Sequence, residues 1–118
     1  MSDPLQKVRE AALELPETEE RMSHGQPTFF VAGKQFAQFR DNHHGDRRTV
    51  ICVRVDSIDE QEMLLESDPE TYSKPAYLPS WLAINVAGND VDWDHVADRI
   101  AASWELAAPR RLLEAGGR

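Results

Sequence analysis

The chain has 118 residues, a single cysteine, and 21 Asp and Glu against 13 Lys and Arg, for a formal net charge of −8. That length suits one hydrophobic core, since two half-size domains would each sit near the lower limit of self-sufficient burial, and 41% hydrophobic with 29% charged residues is an ordinary globular composition rather than a disordered one. One cysteine excludes an intramolecular disulfide, no charged start leads into an apolar export segment, and no apolar run approaches the roughly 18 residues of a membrane span, so the expectation is a single cytoplasmic domain over residues 1–118.

Asp3 is placed to cap a helix, Pro4 suits its first position, and Leu5, Val8, Ala12 and Leu15 recur at helical spacing until Pro16 stops the run. Glu19 to Met22 is polar and carries no clear signal. Pro27 to Ala32 and Gln35 to Arg40 are rich in Phe and Val, and Gly33-Lys34 between them predicts a β-hairpin with a type II′ turn. Residues 41–47, with Gly45 among polar neighbours, read as a projecting loop. The next strand runs from Arg48 to Val55, its apolar face carrying Ile51, Val53 and Val55.

Ser57 and Glu60 form a capping-box pattern ahead of Ile58, Leu64 and Leu65, and Asp68-Pro69 ends this short acidic helix. Residues 70–80 read as a connecting loop and Trp81 to Val86 as a further strand. The last long helix is capped by Asp92, and Trp93, Val96, Ala97, Ile100, Ala101, Trp104 and Ala108 share one face, predicting that Trp93, Ile100 and Trp104 are buried. Pro109 interrupts it before a short final turn. Strands joined by short loops and flanked by helices predict an α+β domain, an antiparallel β-sheet with helices packed on one face. Simple alternation sends Phe29 and Phe30, and likewise Phe36 and Phe39, to opposite faces, so the second face needs a cover from loops, a dimer partner or a ligand.

The chain contains no Gly-rich phosphate loop, nucleophile elbow, HExxH or CxxC motif, so a non-enzymatic role without cofactor or metal is expected. Cys52 lies mid-strand among Val50, Ile51 and Val53, the setting of a small hydrophobe rather than an activated thiolate. His43 and His44, near Asp41 and Asp46, lack the spacing of a metal site and read as a solvated loop, while His24 and His95 read as turn and helix-end groups. Tyr77 and Trp81 flank a Pro-rich loop and either pack or line a shallow pocket.

Charge is unevenly spread: residues 1–20 carry −4, 21–54 carry +4, 55–98 carry −10 and 99–118 carry +2. The hairpin region thus holds the cationic excess, from Arg21, Lys34, Arg40, Arg47, Arg48 and Arg54, in an otherwise anionic molecule.

The segment His24-Gly25-Gln26-Pro27-Thr28-Phe29 to Gly33-Lys34-Gln35-Phe36-Ala37, the strand Trp81-Leu82-Ala83-Ile84-Asn85-Val86, and Ser103-Trp104-Glu105-Leu106-Ala107-Ala108-Pro109-Arg110-Arg111-Leu112 together resemble the MmcQ/YjbR family over nearly the whole chain. Trp104 occupies what resembles a Tyr position of that family, and Arg110 or Arg111 a Lys position. The resemblance implies a CyaY-like α+β fold and a DNA-binding role through two protruding hairpins, a double-wing arrangement. On that reading Lys34, Arg40, Arg47 and Arg48 contact the phosphates of double-stranded DNA, weakly and without sequence preference. The alternative is a small-molecule or protein-binding module that uses the aromatic sheet face or the Tyr77 to Trp81 region, as a monomer or homodimer; a third reading, by analogy to CyaY, is weak divalent-metal binding on the acidic helices. Convergence of Lys34, Arg47 and Arg48 on one face favours the first, and a pocket with convergent polar groups favours the second.

Overall fold

Asp3 opens the first helix as its sequence requires, its carboxylate accepting from the Leu5 N–H at 3.0 Å with Pro4 at the first helical position. A computed structural model describes residues 3–42, 45 and 47–115. In chain order the elements are α1 (Pro4–Leu13), β1 (Thr18–Ser23), β2 (Gln26–Val31), β3 (Lys34–Asp41), β4 (Thr49–Arg54), α2 (Ile58–Ser67), β5 (Tyr72–Ser73), β6 (Trp81–Asn85), α3 (Trp93–Ala107) and α4 (Arg110–Glu114). The strands make one antiparallel sheet in the order β1-β2-β3-β4-β6-β5, with α1 and α3 packed against each other and against one face of it. This is the α+β arrangement that the element order predicts.

Two hairpins open the sheet. The second turn is Ala32-Gly33, not Gly33-Lys34, and both its residues have positive φ (49° and 80°), so it is type I′ rather than II′; Lys34 already pairs with Val31. His24-Gly25 makes the same turn, at φ 53° and 78°, and creates β1, which the polar run Glu19 to Met22 does not announce. That edge strand is held by tertiary contacts: Arg9 of α1 forms a fork with Glu20 (2.8 and 2.9 Å), and the Arg21 guanidinium lies 4.2 Å over the Phe30 ring. Arg21 thereby covers the aromatic ring that alternation sends to the outer face.

Phe36 and Phe39 do not part as simple alternation predicts. The β2–β3 register shifts between Phe29 and Phe30, so that Phe29 faces Ala37, Phe30 faces Gln35, and Phe36 is the extra residue of a β-bulge. Phe36, Ala37 and Phe39 therefore all join the core under the helices. The bulge also takes the Phe36 carbonyl out of the ladder. Its partner is the hydroxyl of Ser103 on α3, which donates to Phe36 O and accepts from the Arg54 N–H at 2.8 Å, so one buried side chain satisfies backbone groups on two strands.

The core gathers Val8, Ala12 and Leu15, Phe29 and Val31, Ile51 and Val53, Leu82 and Ile84, and Val96, Ile100 and Trp104. Ile100 and Trp104 are fully buried, whereas Trp93, at the first turn of α3, is only partly so and packs against the margin of the core. On the opposite face Val50, Cys52, Trp81 and Ala83 form a second, smaller cluster with Leu78 laid over it. The cover that this face needs is thus supplied in part by the chain's own loop before β6. Gln61, the buried residue of α2, anchors that loop by donating to the carbonyls of Pro79 and Trp81, both at 2.7 Å. Among the described residues no helix is long and apolar enough to cross a membrane.

Candidate functional site

Over β4 and β6 the outer face is largely covered by the loop before β6, but over β2 and β3 it is open. There the side chains of Gln26, Gln35, Gln38 and Arg40, with His24 from the first turn and Tyr77 and Leu78 from the loop, line a cavity of about 460 Å³. The antiparallel register puts them together: Thr28 faces Gln38 across the β2–β3 pair and Arg40 faces Val50 across β3–β4, so their side chains share the surface opposite the helices. Polar residues at alternate positions of otherwise aromatic strands were the sequence signal for this surface, and it is faint because a polar outer face is the ordinary state of a half-buried sheet.

A chain of hydrogen bonds fixes the floor. Arg40 Nε donates to Gln38 Oε1 (2.9 Å), Gln38 Nε2 donates to Thr28 Oγ1 (3.2 Å), and the Thr28 hydroxyl donates to the Gln26 carbonyl (3.1 Å). Thr28 is fully buried, Gln38 and Arg40 only 5% exposed. With Nε committed to Gln38, the two terminal nitrogens of the guanidinium remain as a fork. Among the described residues no carboxylate forms an ion pair with Arg40. A buried cation without a countercharge is costly, and an arginine held this way presents a rigid donor pair suited to an oxyanion.

The four predicted phosphate contacts do not form one patch. Lys34 begins β3 and is exposed beside the Ala32-Gly33 turn, while Arg47 and Arg48 follow the other end of that strand, so roughly 20 Å of extended chain separates them. Arg40 is not a hairpin-tip residue at all but a buried mid-strand one. Arg47 is exposed at φ 59°, its N–H bound to Asn42 Oδ1 at 2.9 Å, and the Asn42 N–H closes the loop onto Arg48 O at 2.8 Å. Arg40 and Arg48 do meet, at a small recess beside the main cavity that Ser73 and Lys74 complete. His43, His44 and Asp46 lie outside the described residues.

Arg54 occupies the same face farther along β4. Its guanidinium stacks 5.0 Å over Trp81 and donates to the Gln35 carbonyl at 2.9 Å, and burial pushes its pKa down from the ordinary value. Trp81 is therefore a packing residue, only 6% exposed, while Tyr77, 77% exposed with φ 66°, stands at the cavity rim. His95 donates its backbone N–H to Asp92 Oδ1 at the helix start and contacts the Tyr72 hydroxyl through Nε2, and burial raises the Tyr72 pKa. This pair ties α3 to β5 and was not legible in the sequence, because the two residues are distant along the chain.

Cys52 is fully buried in the second cluster. Iodoacetamide is expected to label it only after denaturation, and rapid labelling of the native protein would show that β4 opens to solvent. Among the described residues no group of three or more His, Cys, Asp or Glu is disposed to hold a metal ion.

The crystal structure of Deinococcus radiodurans protein DR2400, which carries the domain DUF419, superposes with a TM-score of 0.74 at 17% sequence identity, over 94% of this chain and 85% of that one. At that identity the likeness speaks for the fold. No curated protein matches the sequence. The YjbR family model matches residues 13–106, from the end of α1 to the end of α3, and this chain belongs to the YjbR family.

Proposed function

We propose that this domain binds a small organic anion on the open face of its sheet, with Arg40 as the charge-recognising group. The observation that carries this reading is an arginine only 5% exposed that has no carboxylate partner among the described residues and lines a cavity of about 460 Å³. That volume falls within the range of small-molecule sites, and the lining combines apolar walls, Tyr77 and Leu78, with a few convergent amides, the usual composition of such sites. Charge recognition belongs to Arg40, shape to the loop residues, and orientation to the carboxamides of Gln26, Gln35 and Gln38.

Arg40→Met tests it in two ways. Removing an uncompensated buried charge is expected to leave the unfolding free energy of the ligand-free protein within about 1 kcal/mol of the parent or to raise it, since a site kept for binding is not kept for stability. In a nuclear magnetic resonance titration with aromatic carboxylates, sulfonates and phosphomonoesters, the parent is expected to show shifts at Gln38, Arg40, Tyr77 and Leu78 that the variant loses. A loss of more than about 2 kcal/mol in the variant, with no anion moving those signals in the parent, assigns Arg40 a structural role instead.

The double-wing reading is kept as a second proposal on one observation: Arg47 and Arg48 are exposed at the same sheet end as the His24-Gly25 turn, so two loops project together there. Against it stand the separation of Lys34, the burial of Arg40 and the net charge of −8. Duplex binding that weakens steeply with salt and survives Arg40→Met supports the wings over the cavity.

A further inference from the structure

β1 is an open edge. Among the described residues it pairs with β2 alone along its six residues, whereas the opposite edge, β5, is two residues long and offers little to pair with. On the helix side α1 reaches from β1 across to β3, so its axis lies inboard of the edge. The hairpin register decides which backbone groups face outward. Ser23 and Gln26 close the two-residue turn as a hydrogen-bonded pair, so bonds to β2 recur at Arg21 and Glu19, and the N–H and C=O of Thr18, Glu20 and Met22 point away from the sheet. Pro27, which has no N–H, sits opposite Met22, where none is needed. Glu20 sends its side chain to the helix face to meet Arg9, and Glu19 and Arg21 take the outer face with Phe30.

A free row of this length is a template for another strand, and its charges select which one. Two copies related by a two-fold axis through the sheet pair antiparallel with their faces matched, and set outward-bonding residues against outward-bonding residues. Three registers engage more than one of these residues. Thr18 against Glu20 sets Glu19 against Glu19 of the other copy, and Glu20 against Met22 sets Arg21 against Arg21, both like-charge pairs. Glu20 against Glu20 instead places Glu19 opposite Arg21 of the other copy, twice over by symmetry. Each central Glu20 is already met by its own Arg9 at 2.8 and 2.9 Å, and Met22, 67% exposed, falls opposite Thr18 of the other copy. The rim itself is neutral, Arg9 and Arg21 against Glu19 and Glu20, although the chain carries −8. We propose that two copies of this chain join through β1 in that register, giving a continuous sheet of twelve strands, six from each copy. Because the axis keeps the faces matched, both cavities open on the same side, each lined by His24 and Gln26 of the hairpin that supplies the edge. None of this depends on what the cavity binds. One short strand per copy makes an interface of the small class, under about 1,200 Å², so the dimer is weak, with a dissociation constant of about 10 to 300 μM.

Sedimentation equilibrium of the full chain from about 10 μM to about 1 mM is expected to show monomer passing to dimer. Over the same range amide exchange at Thr18, Glu20 and Met22 should slow several-fold, while Glu19 and Arg21, already bonded to β2, change little. Charge reversal tests register and partner together. Glu19→Arg and Arg21→Glu alter exposed side chains, so both variants are expected to fold, as circular dichroism checks, and each alone should weaken self-association about tenfold, because like charges then face each other across the axis. Mixed in equal amounts, the two variants should pair with each other about as tightly as the parent does with itself, since every facing pair is then opposite in charge; a contact within one chain cannot be restored that way. A parent still monomeric at about 1 mM overturns the proposal. So does a dimer in which the three outward amides keep their dilute exchange rates, or variants that fail to associate on mixing. Slowed exchange at those amides that requires a different polypeptide, and not concentration, overturns self-pairing in favour of a foreign strand.

Discussion

Trp104→Ala is expected to lower the unfolding free energy by about 3 to 5 kcal/mol, the range for deleting a large aromatic from a close-packed core. Trp104 is fully buried in the core that α1, α3 and the sheet enclose, and the core residues these elements supply, Val8, Ala12, Phe36 and Val53 among them, sit on helices and strands that limit collapse into the vacated space. The loss goes beyond volume. Trp104 Nε1–H donates to the Pro16 carbonyl at 3.1 Å, pinning the turn between α1 and β1, and that carbonyl loses its partner in the variant. Chemical denaturation measures the change, and a loss under about 1 kcal/mol would mean that α3 does not close this core.

Ser103→Ala removes a single oxygen, yet the expected loss is about 2 to 4 kcal/mol, because two buried backbone groups are orphaned at once and each unsatisfied group costs about 1 to 3 kcal/mol. The Phe36 carbonyl is turned out of the ladder by the bulge, and the Arg54 N–H faces it from β4; no other side chain bridges them among the described residues. The mechanism has its own readout. Amide exchange at Arg54 should accelerate in the variant relative to its β4 neighbours, whereas a general loss of packing would raise exchange evenly along the strand. A stability loss below about 1 kcal/mol with Arg54 still protected would show that water enters and takes over the hydroxyl's bonds.

These two residues open the Ser103-Trp104 motif by which the sequence resembles the YjbR family, and both hold strands and helices together rather than face a ligand. The early motif divides differently. Gly25 and Gly33 supply the left-handed turn positions and Phe29 the core, while Gln26 and Gln35 line the cavity. Part of the family pattern is therefore architecture and part of it borders the candidate site.

The helices were legible because caps and 3.6-residue spacing are local: Asp3, Ser57 and Asp92 all accept the helix-start N–H bonds that their positions predict. So were the four strands with apolar alternation. β1 was not, because its stability comes from partners elsewhere, Arg9 on Glu20 and Phe30 beneath Arg21. β5 was not either, since two residues of pairing to β6 leave no periodicity to read.

By itself the sequence determined the fold class, the core face of α3, the position of the second hairpin to within one residue, and an uneven charge distribution with its cationic part among the hairpins. It did not determine which cations meet. Lys34 and Arg47, grouped by their nearness in sequence, end at opposite ends of a strand, whereas Arg40, Arg48 and Lys74, which lie in separate segments, line one recess. The physical reason is that a strand carries residues apart at about 3.3 Å per position while sheet pairing brings distant segments to within about 5 Å. Only the tertiary structure, with the loop before β6 folded over the outer face and the bulge at Phe36 turning its neighbours inward, decides that Arg40 faces a cavity.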